Sequence, residues 1–570
     1  MISGVVLLGL VLVIGAGIVI AVRSATGTRD SGGVAVAQPT ARRVVVFILL
    51  FALVVISGIG LSGLLGRLLD SGNLLVSRDV TGLARSLAFT LIAGPLAAVL
   101  WWAQWRRIRG DERASVAWGL YLAGMSTVAL VTAATSLFLA SAVLVRGEWR
   151  VQTFATGIVW AGIWSWHRWM REHPDKRPVR LVTVAPVLGS VFGLLLAAGG
   201  AITVLSSLVD TAVSAVLNSV TVGEPWWILT LQALIWFLGG VVVWWWHWFH
   251  DASRTFRGGL ADVALVGVGV TFSTIISVAG LATGLFVVLR LFLDRSEPVS
   301  LMVEPLGAAV GAALIGPLVW RYHHRQLAPR ADSTRLAAGV LVAGVGLVAA
   351  ASGLGVIINA ALASLTPTLV GSDSRTLLLG GLSVLVVGGP VWWTAWNPTR
   401  AADPAEAGST VRRLYLIIVF GLSAVVAIIT LLVIGYRVFE YVLDDLSGAS
   451  LVDRVRAPLG LLVATGLVAS YHFLVWRRDR SLLASVPHPE PRIGRVILVT
   501  AANPRPLTQA ITEATGAAVT VWRPAESAVS GGEPMTEHLT AALAGITGKR
   551  VLVVMGPENR IDVIALSDRT

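Results

Sequence analysis

Apolar stretches of about twenty residues recur along the chain, separated by short segments in which Arg gathers. A helix needs about 20 apolar residues to cross about 30 Å of hydrocarbon, and in lipid such a run satisfies its own backbone only as a helix. The pattern therefore predicts thirteen spanning helices, near 2–22, 43–66, 86–105, 116–141, 151–168, 181–206, 226–249, 259–289, 301–320, 336–360, 376–396, 413–436 and 457–476. After the first, the stretches come in pairs led by Arg43, Arg113, Arg180, Arg257, Arg335 and Arg413, at spacings of 70, 67, 77, 78 and 78 residues. So regular a period predicts internal duplication. The expected order is an anchor at 1–22, a cytosolic linker at 23–42, and six two-helix repeats at 43–110, 111–178, 179–253, 254–332, 333–410 and 411–480. Each repeat crosses twice, so all six enter from one side, unlike the inverted repeats of many transporters.

The second stretch of a repeat usually ends in a cluster of Trp with Arg or His. Trp101 and Trp105, Trp160 and Trp164, Trp244 and Trp248, and Trp392 and Trp396 stand four apart, so each pair shares a helix face. Indole settles at the headgroup level, where Arg106, Arg168, Arg321 and Arg477 can meet phosphate, and an interfacial aromatic belt is the expectation. The alternative is an aromatic-lined vestibule that stacks on a flat ligand or holds a cation. His167, His247, His250, His323, His324 and His472 lie in the same zone. Of these, His247, His250, His323 and His324 are candidate haem or metal ligands. No carboxylate cluster accompanies them inside the apolar runs, so interfacial hydrogen bonding is expected and no cofactor, metal or catalytic residue is assigned.

Gly94-Pro95, Gly316-Pro317 and Gly389-Pro390 predict helix bends at Pro95, Pro317 and Pro390. Several first helices close on an acidic turn, at Leu69-Asp70, Val209-Asp210, Leu293-Asp294 and Leu443-Asp444-Asp445. In the tenth stretch Gly339, Gly344, Gly346, Gly353 and Gly355 predict close helix packing.

Composition sharpens this picture. The 570 residues are 55% hydrophobic and 13% charged, against roughly 25% charged in a soluble domain. Net charge is +12, but it is spread over short loops rather than one basic face, so anionic headgroups are the expected partner and nucleic acid is not. Loops after odd-numbered helices hold 25 Lys and Arg and those after even-numbered helices 11, which predicts a bacterial inner-membrane protein with its N-terminus outside and its C-terminus cytosolic. The first helix lacks a basic start and reads as a retained anchor rather than a cleaved signal. With no Cys, disulfides, thiol redox chemistry and thiolate metal sites are excluded. Apart from Asp262 and Glu304, both near helix ends, the helix interiors hold no Asp, Glu, Lys, Arg or His at mid-depth, where ion-coupled pumps usually need such a group.

Beyond Arg480 a Pro-rich linker at 481–494 leads to alternating strand-like and helix-like segments. Strands are predicted at 495–501, 518–522, 550–555 and 561–567 and helices at 507–515 and 536–546, a small cytosolic α/β domain over 495–570 suited to a protein partner. No glycine-rich phosphate loop is present there.

At Val411-Arg412-Arg413-Leu414-Tyr415-Leu416, followed by Gly421-Leu422 and Leu443-Asp444-Asp445, the chain resembles a bacterial membrane protein family catalogued as a domain of unknown function. The resemblance covers 43–480 by repetition and is clearest in the last repeat; the second and third repeats lack the Gly-Pro pair and the Arg-Arg-Leu-Tyr opening. It implies hydrophobic helices opening on a basic-aromatic stretch and carries no substrate or catalytic residue. The expected fold is an all-α polytopic membrane protein with a small C-terminal α/β domain. The expected role is a non-enzymatic scaffold or sensor; the alternatives are a transporter, channel or flippase for a lipid-like substrate and a haem-binding membrane protein.

Overall fold

A computed structural model describes residues 34–70, 79–108, 112–218, 224–294, 297–365, 374–400, 404–443, 450–485, 493–500, 504–522, 536–543, 546, 548–556 and 560–566. It forms two compact units, residues 1–476 and 477–570. Twelve long helices occupy the described part of the first: α1 (Val34–Leu69), α2 (Val80–Arg107), α3 (Val116–Leu144), α4 (Val151–Glu172), α5 (Val184–Val216), α6 (Trp226–His250), α7 (Gly259–Leu293), α8 (Val299–Arg325), α9 (Asp332–Ala363), α10 (Ser374–Arg400), α11 (Thr410–Leu443) and α12 (Leu451–Ser485). Among the described residues, eleven are long and apolar enough to cross a membrane. The twelfth, α4, is a helix as expected, but its Trp, His and Arg content keeps it out of that set. The expected helix at 2–22 lies outside the described residues, so the number thirteen is not reached. Helix α1 begins at Val34, inside the segment expected to be linker.

In chain order the helices fall into three groups of four. In the first α1 packs on α2, α3 and α4; in the second α5 packs on α6 and α8, and α7 on α8; in the third α9 packs on α10, α11 and, through Gly355 and Gly460, α12; the groups meet where α3 packs on α5 and α6 and α7 on α10. Close pairs use glycine where backbones nearly touch. A Cβ on Gly193 would lie 2.3 Å from the Trp244 nitrogen and one on Gly200 2.5 Å from that of Phe237; Gly346 and Gly353 stand in the same way against Trp392 and Leu385. The pairs α5–α6 and α9–α10 thus pack through the same two steps along both helices. Helix continues through Pro317, while Gly94-Pro95 directly follows a π-helical turn at Phe89–Ala93. Wider turns also occur at Trp246–His250 and Leu265–Phe272.

Buried polar side chains mostly turn back on their own helices. Ser62 bonds the Gly58 carbonyl, Ser86 that of Gly82, Ser273 that of Gly269, Ser383 that of Leu379 and Thr430 that of Val426. A few cross between helices: Gln152 donates to the Ser62 carbonyl and Gln232 to that of Ala142. Asp79 caps α2 through the Gly82 N–H and also receives Arg67, two bonds that hold its carboxyl below the ordinary carboxylate range.

In the second unit, strands β1 (Ile493–Val499), β2 (Ala518–Trp522), β3 (Gly548–Met555) and β4 (Ile561–Leu566) form a sheet of order β2-β1-β3-β4, with β1 parallel to β2 and β3, and β4 antiparallel to β3. Helices α13 (Pro504–Thr515) and α14 (Thr536–Leu543) supply Leu507, Ile511, Leu539 and Leu543 to a core with Ile493, Val496, Leu498, Val551 and Val553. The expected small α/β fold is present, with element ends moved by a few residues.

Gly346→Ala is expected to lower the thermal unfolding temperature in nanodiscs, because its Cβ would sit 2.4 Å from the Trp392 backbone nitrogen, an overpacking cost of about 1–3 kcal/mol. Gly339→Ala, with nothing within 4 Å of the added carbon, is expected to leave it unchanged or raise it.

Candidate functional site

Four histidines, near the ends of α4, α6 and α8 and within α12, share one geometry. His167, His247, His323 and His472 are all buried. In each, Nδ1 meets the carbonyl four residues earlier: Ile163 at 2.7 Å, Val243 at 2.9 Å, Val319 at 2.9 Å and Val468 at 2.8 Å. A carbonyl oxygen only accepts, so Nδ1 carries the proton, and in the neutral ring Nε2 is left as a bare acceptor. His250 and His324 behave differently: both are exposed and stack on Trp246 and Trp320 at 4.5 and 4.6 Å. The expected interfacial His set therefore divides into four inward rings and two outward ones. Among the described residues no group of three His, Asp or Glu converges as a metal site.

What each buried ring faces depends on the helix group. In the first, Tyr121 of α3 lies at hydrogen-bond distance from His167 Nε2 (3.0 Å), and its hydroxyl must be the donor. In the third, Tyr415 of α11 packs 5.9 Å from His472, ring to ring, yet neither the Tyr415 hydroxyl nor His472 Nε2 has a hydrogen-bond partner. In the second, glycine takes the tyrosine's place. A Cβ on Gly189 would fall 2.5 Å from the His247 ring, and one on Gly269 2.8 Å from that of His323.

The tryptophans of the clusters alternate between inside and outside. Trp101 packs on Trp118 and Tyr121 at 6.0 Å and on His167 at 5.9 Å. Trp105 stacks on Trp169. Trp160 is buried in the first core, with Trp164 packed against that core. Trp244 stacks on Trp248, whose Nε1–H donates to the Tyr322 hydroxyl at 2.8 Å. Trp396 donates to the Tyr471 hydroxyl at the same distance, and Trp392 meets that ring edge-on. Their sequence neighbours Trp102, Trp166, Trp245 and Trp393 are exposed. Arg106 lies over the exposed Trp102 ring at 3.8 Å, and Arg321 and Arg477 are exposed.

Buried charge at the helix ends escapes a count of residues inside the spans. Arg168 of α4 donates to Asp251, just past α6, at 2.8 Å, and His247 Nε2 lies 3.8 Å from the other Asp251 oxygen. This bridge links the first and second helix groups. Lys176 is buried and donates to the Trp105 and Ile108 carbonyls, while its own carbonyl accepts the Trp118 N–H. Arg330 has the corresponding place after α8: it donates to the Arg254 and Phe256 carbonyls and pairs with Asp262, which also accepts from Thr334. At the opposite helix ends, Arg290 meets Asp294 and Glu297, and Thr376 of α10 donates to Asp294. The four-residue spacing of His247 and Asp251 was a legible signal for the first of these; nothing local marks Lys176.

Tyr121→Phe leaves His167 Nε2 buried without a donor and is expected to cost about 1–3 kcal/mol in chemical or thermal unfolding. Tyr415→Phe removes a hydroxyl that has no partner and is expected to change stability by less than about 0.5 kcal/mol, or to raise it.

The model of a family described as a domain of unknown function, DUF5671, matches residues 43–166 and again residues 337–467. Both ranges include the facing tyrosine, Tyr121 or Tyr415, and stop short of its histidine, and the second helix group lies between them. No curated protein and no solved structure matches the chain. Two regions of the chain, one in its first helix group and one in its third, thus match the model of one family, the domain of unknown function DUF5671.

Proposed function

We propose that the protein is a non-enzymatic scaffold or sensor of the bacterial inner membrane, with its C-terminal α/β domain in the cytosol as the docking element for a protein partner. Packing carries this reading. The tryptophans best placed to line a vestibule, Trp101, Trp164, Trp244 and Trp392, all pack against buried cores. A cleft in the second helix group has a space of about 20 Å³, room for a water-sized group. Orientation rests on the Lys and Arg bias between loops. Six parallel two-helix repeats arising by duplication account for the Arg-led period, the repeated His geometry and the second match to one family. The outward Trp102, Trp166, Trp245 and Trp393 are left for an interfacial belt against anionic headgroups.

Purified protein in liposomes is expected to move neither fluorescent lipid between leaflets nor entrapped solutes faster than empty vesicles do. Transport well above that control overturns the scaffold reading in favour of a flippase or channel.

A further inference from the structure

In the first two helix groups, the third helix packs on the opening pair of the group that follows. Helix α3 packs on α5 and α6, and α7 packs on α9 and α10. Phenylalanine meets glycine at both junctions. The Phe138 ring of α3 lies 2.4 Å from where a Cβ on Gly239 of α6 would stand, and the Phe286 ring of α7 lies 3.6 Å from that of Gly380 of α10. Polar bonds accompany them, from Gln232 of α6 to the Ala142 carbonyl of α3 and from Thr376 of α10 to Asp294, just past α7. In the third group, α11 packs on α9 and meets α12 through Phe420 and Phe473, and the sheet unit follows α12 in the chain.

Both halves of a third such junction are present, and each has a counterpart already engaged. The matched region 43–166 takes in α1, α2 and α3, and the region 337–467 takes in α9, α10 and α11. Helix α11 thus corresponds to α3, which α5 and α6 cover, and the pair α1–α2 corresponds to α9–α10, which receives α7. Over an apolar stretch of each third helix, 56% of α3 is buried, 28% of α7 and 11% of α11. Lipid accepts bare apolar surface, so the repeated junction, rather than exposure, names the occupant of that face. Counting along the helices gives the register. Phe286 stands eight residues before Asp294 and Tyr436 of α11 eight before Asp444; Gly380 stands nine before Gly389-Pro390 and Arg85 of α2 nine before Gly94-Pro95. Tyr436 and Arg85 are both exposed, and a guanidinium over a tyrosine ring is a favourable pair. Beside Tyr436, Gly435 has nothing within 4 Å of an added carbon, space that a facing helix can enter.

We propose that α11 of one copy packs on α1 and α2 of a second copy, head to tail, by the junction that α3 and α7 make inside the chain, with Tyr436 against Arg85. Such an interface is heterologous: copies join into a ring where the rotation closes and into a row where it does not. Association of this kind serves a scaffold and a transporter alike, so it stands apart from the scaffold reading.

The chain has no Cys, so introduced thiols are the only ones. Full-length Tyr436→Cys and Arg85→Cys, carrying different tags, are co-expressed, reconstituted together in liposomes at high lipid-to-protein ratio and treated with a short bismaleimide. An adduct bearing both tags is expected from the mixture and none from either variant alone; a chain with both thiols is expected to give a ladder of higher adducts. Ala88→Trp, on the same exposed face of α2 as Arg85 and three residues on, is expected to cut the mixed adduct about tenfold. All three positions are exposed, so the variants are expected to keep the parent's unfolding temperature. An adduct from Tyr436→Cys alone overturns the proposal in favour of a two-fold contact between α11 helices. A doubly substituted chain that cross-links only within itself overturns it in favour of closure inside one copy. No mixed adduct, or one indifferent to Ala88→Trp, overturns it as well and leaves α11 to lipid or to a different protein.

Discussion

A polar group buried among apolar helices must find its partner within reach, because hydrocarbon supplies none. The nearest partner is a carbonyl of its own helix, one turn back, and the inward architecture follows from that. Serines and threonines of α1, α7, α10 and α11 take that bond, while Ser126, Thr132 and Ser136, buried in α3, make none. The four buried histidines do the same with Nδ1, which fixes the tautomer and turns Nε2 toward the neighbouring helix. What packs on the ring then distinguishes the three helix groups: a bonded tyrosine in the first, a glycine in the second, where His247 Nε2 also lies 3.8 Å from Asp251, and a tyrosine that makes no bond in the third.

Charges obey the same constraint at the helix ends. Lys176 and Arg330 are buried because each donates to carbonyls of the preceding connection, tying consecutive turns of chain together at one end of the bundle. Arg168 and Asp251 extend the tie from the first helix group to the second. Removing one partner of such a buried pair strands the other, a penalty of about 3–5 kcal/mol, so these bridges fix which connections lie together. Their contribution is register rather than net stability.

Helix positions were legible because the apolar runs are long and their ends rich in Arg, and the strands of the terminal domain because Val and Ile alternate between turn residues. The inward half of each Trp cluster was legible in part. Four-residue spacing put Trp244 with Trp248 and Trp392 with Trp396 on one face, but periodicity names a face without saying whether it meets lipid or protein. Sequence spacing does not separate the four histidines that bond back from the exposed His250 and His324, since only packing decides which way each ring turns. Lys176 and Arg330 lie in loops, where sequence gives no sign of burial. The cleft beside His323 depends on Gly269 meeting a ring more than fifty residues away, a relation no local pattern carries.

The most direct test is the protonation of the histidine rings, read by nitrogen-15 solid-state NMR of histidine-labelled protein in lipid, with single His→Gln variants to assign signals. His167, His247, His323 and His472 are predicted to show a protonated Nδ1 and a bare Nε2, and His167 alone a through-space contact to a tyrosine hydroxyl. Rings protonated on Nε2, with Nδ1 bare, would contradict the account, because the bond to the preceding turn could not then exist.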